Sequence, residues 1–256
     1  MNHLRFADDI VLMSDSNSDL QAMANELYEA SESAGLSMNL EKTKTMTNAG
    51  EIQIKVKGHE IQCVSSYKYL GQIISTRSNR IEDELNTRIK NAWKSFWALK
   101  HVMKSKMKLK TKIKIWESCE SPTVTYGAQT WALTKKQTLK LKTTQNKMLR
   151  SILEMKMRDK IKNFEIKRKT GVRDVGYKIK KLKFDYAGHI AREKKEKWHK
   201  KVTNWIPYGE KRKKGRPAMR WRNEIVEAAG SLWQRDAQYK KRWERVGEAY
   251  AQRWAD

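Results

Sequence analysis

The chain has 256 residues, 39% of them hydrophobic, with ten Trp and nine Tyr; that length and ring content exclude disorder throughout and leave room for one large domain or a few small ones. Its 55 Lys and Arg against 29 Asp and Glu give a formal net charge of +26, an excess that points to a polyanionic partner, most often nucleic acid. Cys63 and Cys119 are too few and too far apart for a disulfide framework or a Cys-rich zinc site.

The charge is unevenly placed. Residues 1–76 hold six basic side chains (Arg5, Lys42, Lys44, Lys55, Lys57 and Lys68) and ten acidic ones, a net of −4, which leaves +30 on the remainder. Repulsion within so basic a segment disfavours compactness, so part of that surface is expected to serve a ligand and part to be solvated helix faces. No apolar run reaches the length of a transmembrane helix, and Met1-Asn2-His3-Leu4-Arg5 does not open a signal peptide. A soluble protein of the nucleus or cytoplasm, not secreted, is expected.

In chain order, Leu4–Ala7 and Ile10–Met13 are short apolar runs around Asp8-Asp9, the pattern of a tight hairpin with both carboxylates at its tip. Asp15 or Ser16 can cap a following helix whose apolar positions Leu20, Met23, Leu27, Ala30 and Ala34 recur at helical spacing, and Gly35 ends it. Leu36–Leu40 alternates like a strand. The alternation of 51–57 and 60–64 around Lys57-Gly58 predicts another hairpin, and Tyr69–Ile74 a further strand.

After about residue 77 the periodicity becomes helical. One apolar stripe comprises Ile81, Leu85, Ile89, Trp93, Phe96 and Met103, a second Leu109, Ile113 and Trp116, and a third Leu139, Leu141, Met148, Leu149, Ile152 and Leu153. Pro122 and Gly127 are read as interruptions between helices. From about 155 the chain is strongly basic, with apolar positions at Ile179, Leu182, Phe184, Tyr186 and Ile190, then the run Lys211-Arg212-Lys213-Lys214 in an expected exposed loop bounded by Pro207, Gly209 and Gly215. The fold class is therefore α+β: antiparallel strands plus a helix over 1–76, helices over 77–154, and a basic, mainly helical region over 155–256.

Adjacent aspartates on a hairpin tip suit divalent-metal phosphoryl transfer, although a turn commonly holds Asp for backbone reasons alone. The motifs further along the chain, and their order, separate the two readings. Phe6-Ala7-Asp8-Asp9 before Ile10-Val11-Leu12 resembles the active-site hairpin of reverse transcriptases. Gly35–Asn39 with Lys42-Thr43 resembles their next palm motif, and Tyr67-Lys68-Tyr69-Leu70-Gly71 their primer-grip hairpin. Later segments, Tyr126–Trp131, Met148–Leu153, Gly188–Arg192 and Gly215-Arg216-Pro217 with Arg220-Trp221, resemble the rear of non-LTR, LINE-type retrotransposon reverse transcriptases of the RTE kind.

That resemblance implies a partial palm over 1–76, a helical thumb over 77–154 and a basic C-terminal nucleic-acid-binding region over 155–256. It implies that Asp8 and Asp9 bind Mg²⁺ or Mn²⁺, and that Lys42 is a general acid for the departing pyrophosphate; without it Lys42 is an ordinary exposed lysine. Tyr67, Lys68, Tyr69, Leu70 and Gly71 would hold the primer end; read alone they are core strand. Trp93 and Trp97 are read as packing, and His189 and His199 as packed or surface imidazoles. Lys211, Arg212, Lys213, Lys214 and Arg216 would bind nucleic acid, in a run similar to a nuclear-import signal and to an AT-hook core in which Lys214 stands where Arg is usual.

The implied partners are an RNA template and a DNA primer or target DNA, without a membrane. The resemblance also implies that the sequence starts within the palm, without the fingers and another palm aspartate, so unaided polymerisation is not expected. The alternative is a retroelement-derived RNA- or DNA-binding protein without catalysis.

Overall fold

The computed structural model describes residues 2–48, 50, 52–76, 80–205 and 219–254. They form two compact units, Met1–Glu84 and Leu85–Asp256.

In the first unit, β1 (His3–Phe6) and β2 (Asp9–Leu12) pair antiparallel with Phe6 opposite Asp9, so the turn is Ala7-Asp8. Helix α1 (Asn17–Ser33) starts at Ser16, the second of the two expected caps, whose hydroxyl accepts the Asp19 N–H at 3.1 Å. Just past its end Gly35 takes φ +74°, a conformation that glycine adopts without steric cost. Strands β3 (Ile54–Val56) and β4 (His59–Ile61) turn at Lys57-Gly58, with both residues at positive φ (+50° and +77°), as a two-residue hairpin with the right strand twist requires. Strands β5 (Ser66–Tyr69) and β6 (Gln72–Ser75) turn likewise at Leu70-Gly71. The single strand expected over Tyr69–Ile74 is therefore a hairpin, bent where glycine makes the turn accessible.

The core of this unit is Ile52, Ile54, Val56 and Ile61, covered by Leu20, Ala24 and Tyr28 of α1 and by Met38 and Leu40. The Gln21 amide fixes α1 to β3, its Oε1 accepting the Lys55 N–H at 2.8 Å while its nitrogen donates to the Lys55 carbonyl. Leu36–Leu40, which alternates like a strand, is irregular. Its alternation places Met38 and Leu40 on the core, but the pairing falls later, where Thr45 forms a parallel bridge with Cys63. Among the described residues the three hairpins are separate two-stranded sheets.

Helix α2 (Arg80–Ala98) spans the division between the units. The second unit continues with α3 (Lys100–Met103), α4 (Leu109–Thr125), α5 (Lys135–Ile152), α6 (Asn163–Thr170), α7 (Val175–Arg192), α8 (Trp198–Asn204), α9 (Trp221–Ala229), α10 (Trp233–Asp236) and α11 (Lys240–Gln252). Pro122 lies inside α4 instead of ending it, whereas Gly127, at φ +75°, does separate α4 from the short 3-10 turn Ala128–Thr130. A capping box between Thr134 and Gln137 opens α5. Leu139, expected in its buried stripe, faces solvent, while Thr144 and Gln145 are buried.

Helix α7 packs against α4, α5, α8, α10, α11 and the 128–130 turn. Its start is fixed by Asp174, whose carboxylate accepts the Gly176 N–H and pairs with Lys167, both at 2.7 Å, and by Gln145, which accepts the Val175 N–H at 2.8 Å. Phe184, Ala187 and Ala191 of α7 form a core with Ile225, Trp233, Trp243 and Tyr250. Gly188 makes room for Trp243, whose indole N–H donates to the Phe184 carbonyl at 2.7 Å. Among the described residues no helix is long and apolar enough to cross a membrane.

Candidate active site

A two-residue turn leaves little freedom to the side chains beside it. Ala7 is held at φ +52°, an unfavourable region for a residue with a Cβ, and Asp8 and Asp9 sit at the turn and at the head of β2, both exposed. Among the described residues neither carboxylate is engaged by a side-chain donor or an ion pair, so both are available to a cation. Two adjacent carboxylates supply part of the oxygen shell that a hard divalent ion takes. Among the described residues no group of three or more acidic, His or Cys side chains converges on one point.

The second cluster joins the Lys42 turn to β5. Asn39 folds the chain back, its side-chain oxygen accepting the Lys42 N–H at 3.0 Å while its carbonyl accepts the Thr43 N–H and hydroxyl. The Tyr67 hydroxyl donates to the Lys42 carbonyl at 3.3 Å. The Lys42 ammonium and Lys68 are exposed, Tyr67 and Leu70 are more than a third exposed, and Tyr69 is half-buried. The β5–β6 hairpin is anchored from behind by Glu84, whose carboxylate accepts the Ile73 N–H at 2.8 Å. Leu70 sits at φ +45°, a strained position for a branched side chain at an exposed tip.

Residues 1–74 match the reverse transcriptase (RNA-dependent DNA polymerase) family. Over 263 residues the chain is 30% identical to a transposon-derived protein of Caenorhabditis elegans, covering 95% of this chain and 94% of that relative. The chain belongs to the transposon-derived proteins related to reverse transcriptases. No solved structure matches it.

In this transposon-derived protein the β1–β2 hairpin with Asp8 and Asp9, the Lys42 turn and the Tyr67–Gly71 hairpin all fall within the stretch matched to reverse transcriptases. The structure joins the last two through Tyr67. Asn39 belongs to the Gly35–Asn39 motif, whereas Glu84 lies outside every motif in the sequence. Asn three residues before Lys42 is a recognisable turn signal, but the Glu84–Ile73 contact has none, because it links a helix to a strand it does not resemble in pattern. Lys211, Arg212, Lys213, Lys214 and Arg216 lie outside the described residues.

The second unit holds cations that composition alone would place on the surface. Lys180 and Lys183 of α7 are buried against the single carboxylate of Glu224 on α9, and Lys183 also donates to the Trp131 carbonyl at 3.0 Å. Tyr250 donates to the same carboxylate at 3.2 Å. Burial pushes Lys183 down to about 7, with the neighbouring Lys180 ammonium adding to the effect, and pushes Lys180 down to about 8. Burial raises the Tyr250 phenol to about 12, keeping it a donor at neutral pH.

Proposed function

We propose that this protein derives from the reverse transcriptase of a non-LTR, RTE-like retrotransposon, with a palm portion over 1–76, a helical thumb over 77–154 and a nucleic-acid-binding region over 155–256. The observation that carries this reading is the exposed pair of Asp8 in a two-residue hairpin turn and Asp9 at the head of β2, inside the stretch matched to reverse transcriptases. Asp8 is its main metal ligand and Asp9 supports it. A bound Mg²⁺ or Mn²⁺ there would neutralise phosphate charge and lower the pKa of an attacking hydroxyl.

Lys42, exposed on the Asn39 turn, donates a proton to the departing pyrophosphate, and Tyr67, Lys68, Tyr69, Leu70 and Gly71 hold the primer end. The Tyr67–Lys42 contact supports these assignments, since it makes the proton donor and the primer-holding strand one assembly. Lys211, Arg212, Lys213, Lys214 and Arg216 bind the phosphates of an RNA template, a DNA primer or target DNA.

This chain binds nucleic acid but does not extend a primer by itself. Two-metal chemistry needs more carboxylates than the hairpin supplies, and among the described residues no third one converges on it. The exposure of Leu4, Phe6 and Ile10 on β1 and β2 is in keeping with a hairpin that requires a further surface for stability. The net charge of +30 after residue 76 favours a second reading, a retroelement-derived RNA- or DNA-binding protein without catalysis.

The test is primer extension on an RNA template with Mg²⁺, comparing the parent chain with an Asp8→Ala, Asp9→Ala version while template binding is measured over a salt series. Steep salt-dependent binding by both proteins without extension is the expected result. Extension by the parent alone would establish a working site and overturn the reading that this chain does not extend a primer.

A further inference from the structure

Helix α8 has its polarity reversed. A surface helix normally turns apolar residues inward and charges outward, yet Trp198 and Val202 of α8 and Trp205 at its C-cap, spaced by four and three residues, are 51%, 63% and 65% exposed. The partly covered side is polar. His199 and Thr203 are half-buried there, the Thr203 hydroxyl donates to the His199 carbonyl at 2.7 Å, and the Lys200 ammonium folds back onto the Glu193 carbonyl at 3.2 Å. Asn204 accepts from Gln234 of α10 at 3.1 Å, and α8 packs on α7. Burying large apolar side chains is worth on the order of 1.5–3 kcal/mol each, so a helix that presents them to water while half-covering histidine and threonine is arranged for something outside it.

The charge around the rings says what that is. Residues 194–205 hold five lysines and one glutamate, and the Lys201 ammonium stands 5.3 Å from the centre of the Trp198 ring. Lysines interleaved with exposed indoles are what an unpaired polynucleotide requires: bases stack on the rings and phosphates meet the ammoniums. Along the helix Trp198 and Trp205 lie about 10 Å apart, roughly three stacked nucleotide steps. A duplex keeps its bases paired and offers the rings little, and an apolar protein surface would strand the lysines.

The geometry points to the outward face of α8, with Trp205 at its C-cap, as a docking site for an unpaired RNA strand, with Trp198 and Trp205 as stacking platforms and Lys201 as a phosphate contact. RNA is the chosen strand because the family matched over residues 1–74 copies RNA. This inference rests on the nucleic-acid reading of residues 155–256 and adds strand type and contact residues to it.

The test measures fluorescence anisotropy of a labelled oligouridine, the matching oligodeoxythymidine, and an RNA duplex, with the full chain and its Trp198→Ala, Trp205→Ala and Trp198→Phe, Trp205→Phe variants. The alanine variant should lose about tenfold or more in oligouridine affinity, keep the slope of affinity against salt, and bind duplex as before; the phenylalanine variant should recover most of the loss. Equal losses on single strand and duplex, a loss under twofold, or tighter binding of the deoxy strand by the parent would overturn it. So would Trp-dependent binding to phosphatidylserine vesicles, or a Trp-dependent self-association, with oligouridine binding unaffected. Should the parent bind none of the three nucleic acids at low salt, the nucleic-acid reading itself fails; should it bind them with no contribution from the rings, only this inference fails.

Discussion

Replacing Glu224 with Gln should unfold or badly weaken the second unit at neutral and acidic pH. The carboxylate is the shared counter-charge for Lys180 and Lys183, all three side chains are at least 95% buried, and Gln keeps the shape while removing the charge. Breaking a buried ion pair by removing one partner costs about 3–5 kcal/mol, against about 5–15 kcal/mol for a whole domain. The two lysines leave the folded protein's proton affinity below that of the unfolded chain, about 7 and 8 against 10.5. Their contribution to stability is therefore fully present above pH 10.5 and is lost as pH falls through about 8 and then 7. Without the carboxylate the charged lysines lose their counter-ion, so the variant's deficit should be greatest near pH 6 and shrink by about pH 9, where the lysines are neutral. Urea unfolding monitored by the fluorescence of Trp233 and Trp243, both in this core, measures the deficit at the two pH values. A deficit below about 1 kcal/mol at pH 6, or equal deficits at about pH 6 and 9, would refute the argument.

Gly188→Ala should destabilise the same unit by about 2 kcal/mol or more, because the added Cβ would fall 2.5 Å from the Trp243 ring; a lowered thermal midpoint with a blue- or red-shifted indole emission is the expected signature. Leu70→Asn should stabilise the first unit by up to about 1 kcal/mol in urea titrations, since Asn tolerates the left-handed φ that Leu70 holds before Gly71. A loss of stability there would mean that the Leu70 side chain contributes more by packing than it costs in strain.

Local grammar is readable where one residue type has one conformational consequence. Ser16 at the head of α1, Gly35 past its end and Lys57-Gly58 between β3 and β4 act through their own backbone, and periodicity is enough to separate the α+β front from the helical rear. Reading fails where tertiary context decides. The alternation of Leu36–Leu40 is genuine, but it serves packing of Met38 and Leu40 onto the core without a ladder. Pro122 looks like a break in sequence, although a proline removes a single N–H and neighbouring turns carry α4 through it. Lys180 and Lys183 look like part of the solvated charge, because nothing local marks a lysine such as Lys183, whose counter-ion lies 41 residues further along, on α9. At the candidate site, the hairpin is legible although Asp9 heads β2 instead of sharing the turn with Asp8, and the Asn39 turn carries a local signal, while the Glu84 contact that positions the β5–β6 hairpin carries none.

The two buried lysines change what the net charge means. A total of +30 after residue 76 invites the picture of a uniform cationic surface, yet Lys180 and Lys183 face inward and Lys167 pairs with buried Asp174. Surface charge available to a polyanion is thereby concentrated elsewhere, including the lysines around α8. The acidic hairpin, by contrast, belongs to a stretch of net −4, which attracts a divalent cation but repels a phosphate backbone unless one is bound. On the proposed reading, a metal at the carboxylates and a strand held by the cations have opposite charge requirements. Charge changes at Asp8 and Asp9 should leave the salt dependence of nucleic-acid binding intact, because that slope counts displaced counterions at lysines and arginines and not the carboxylates of the turn.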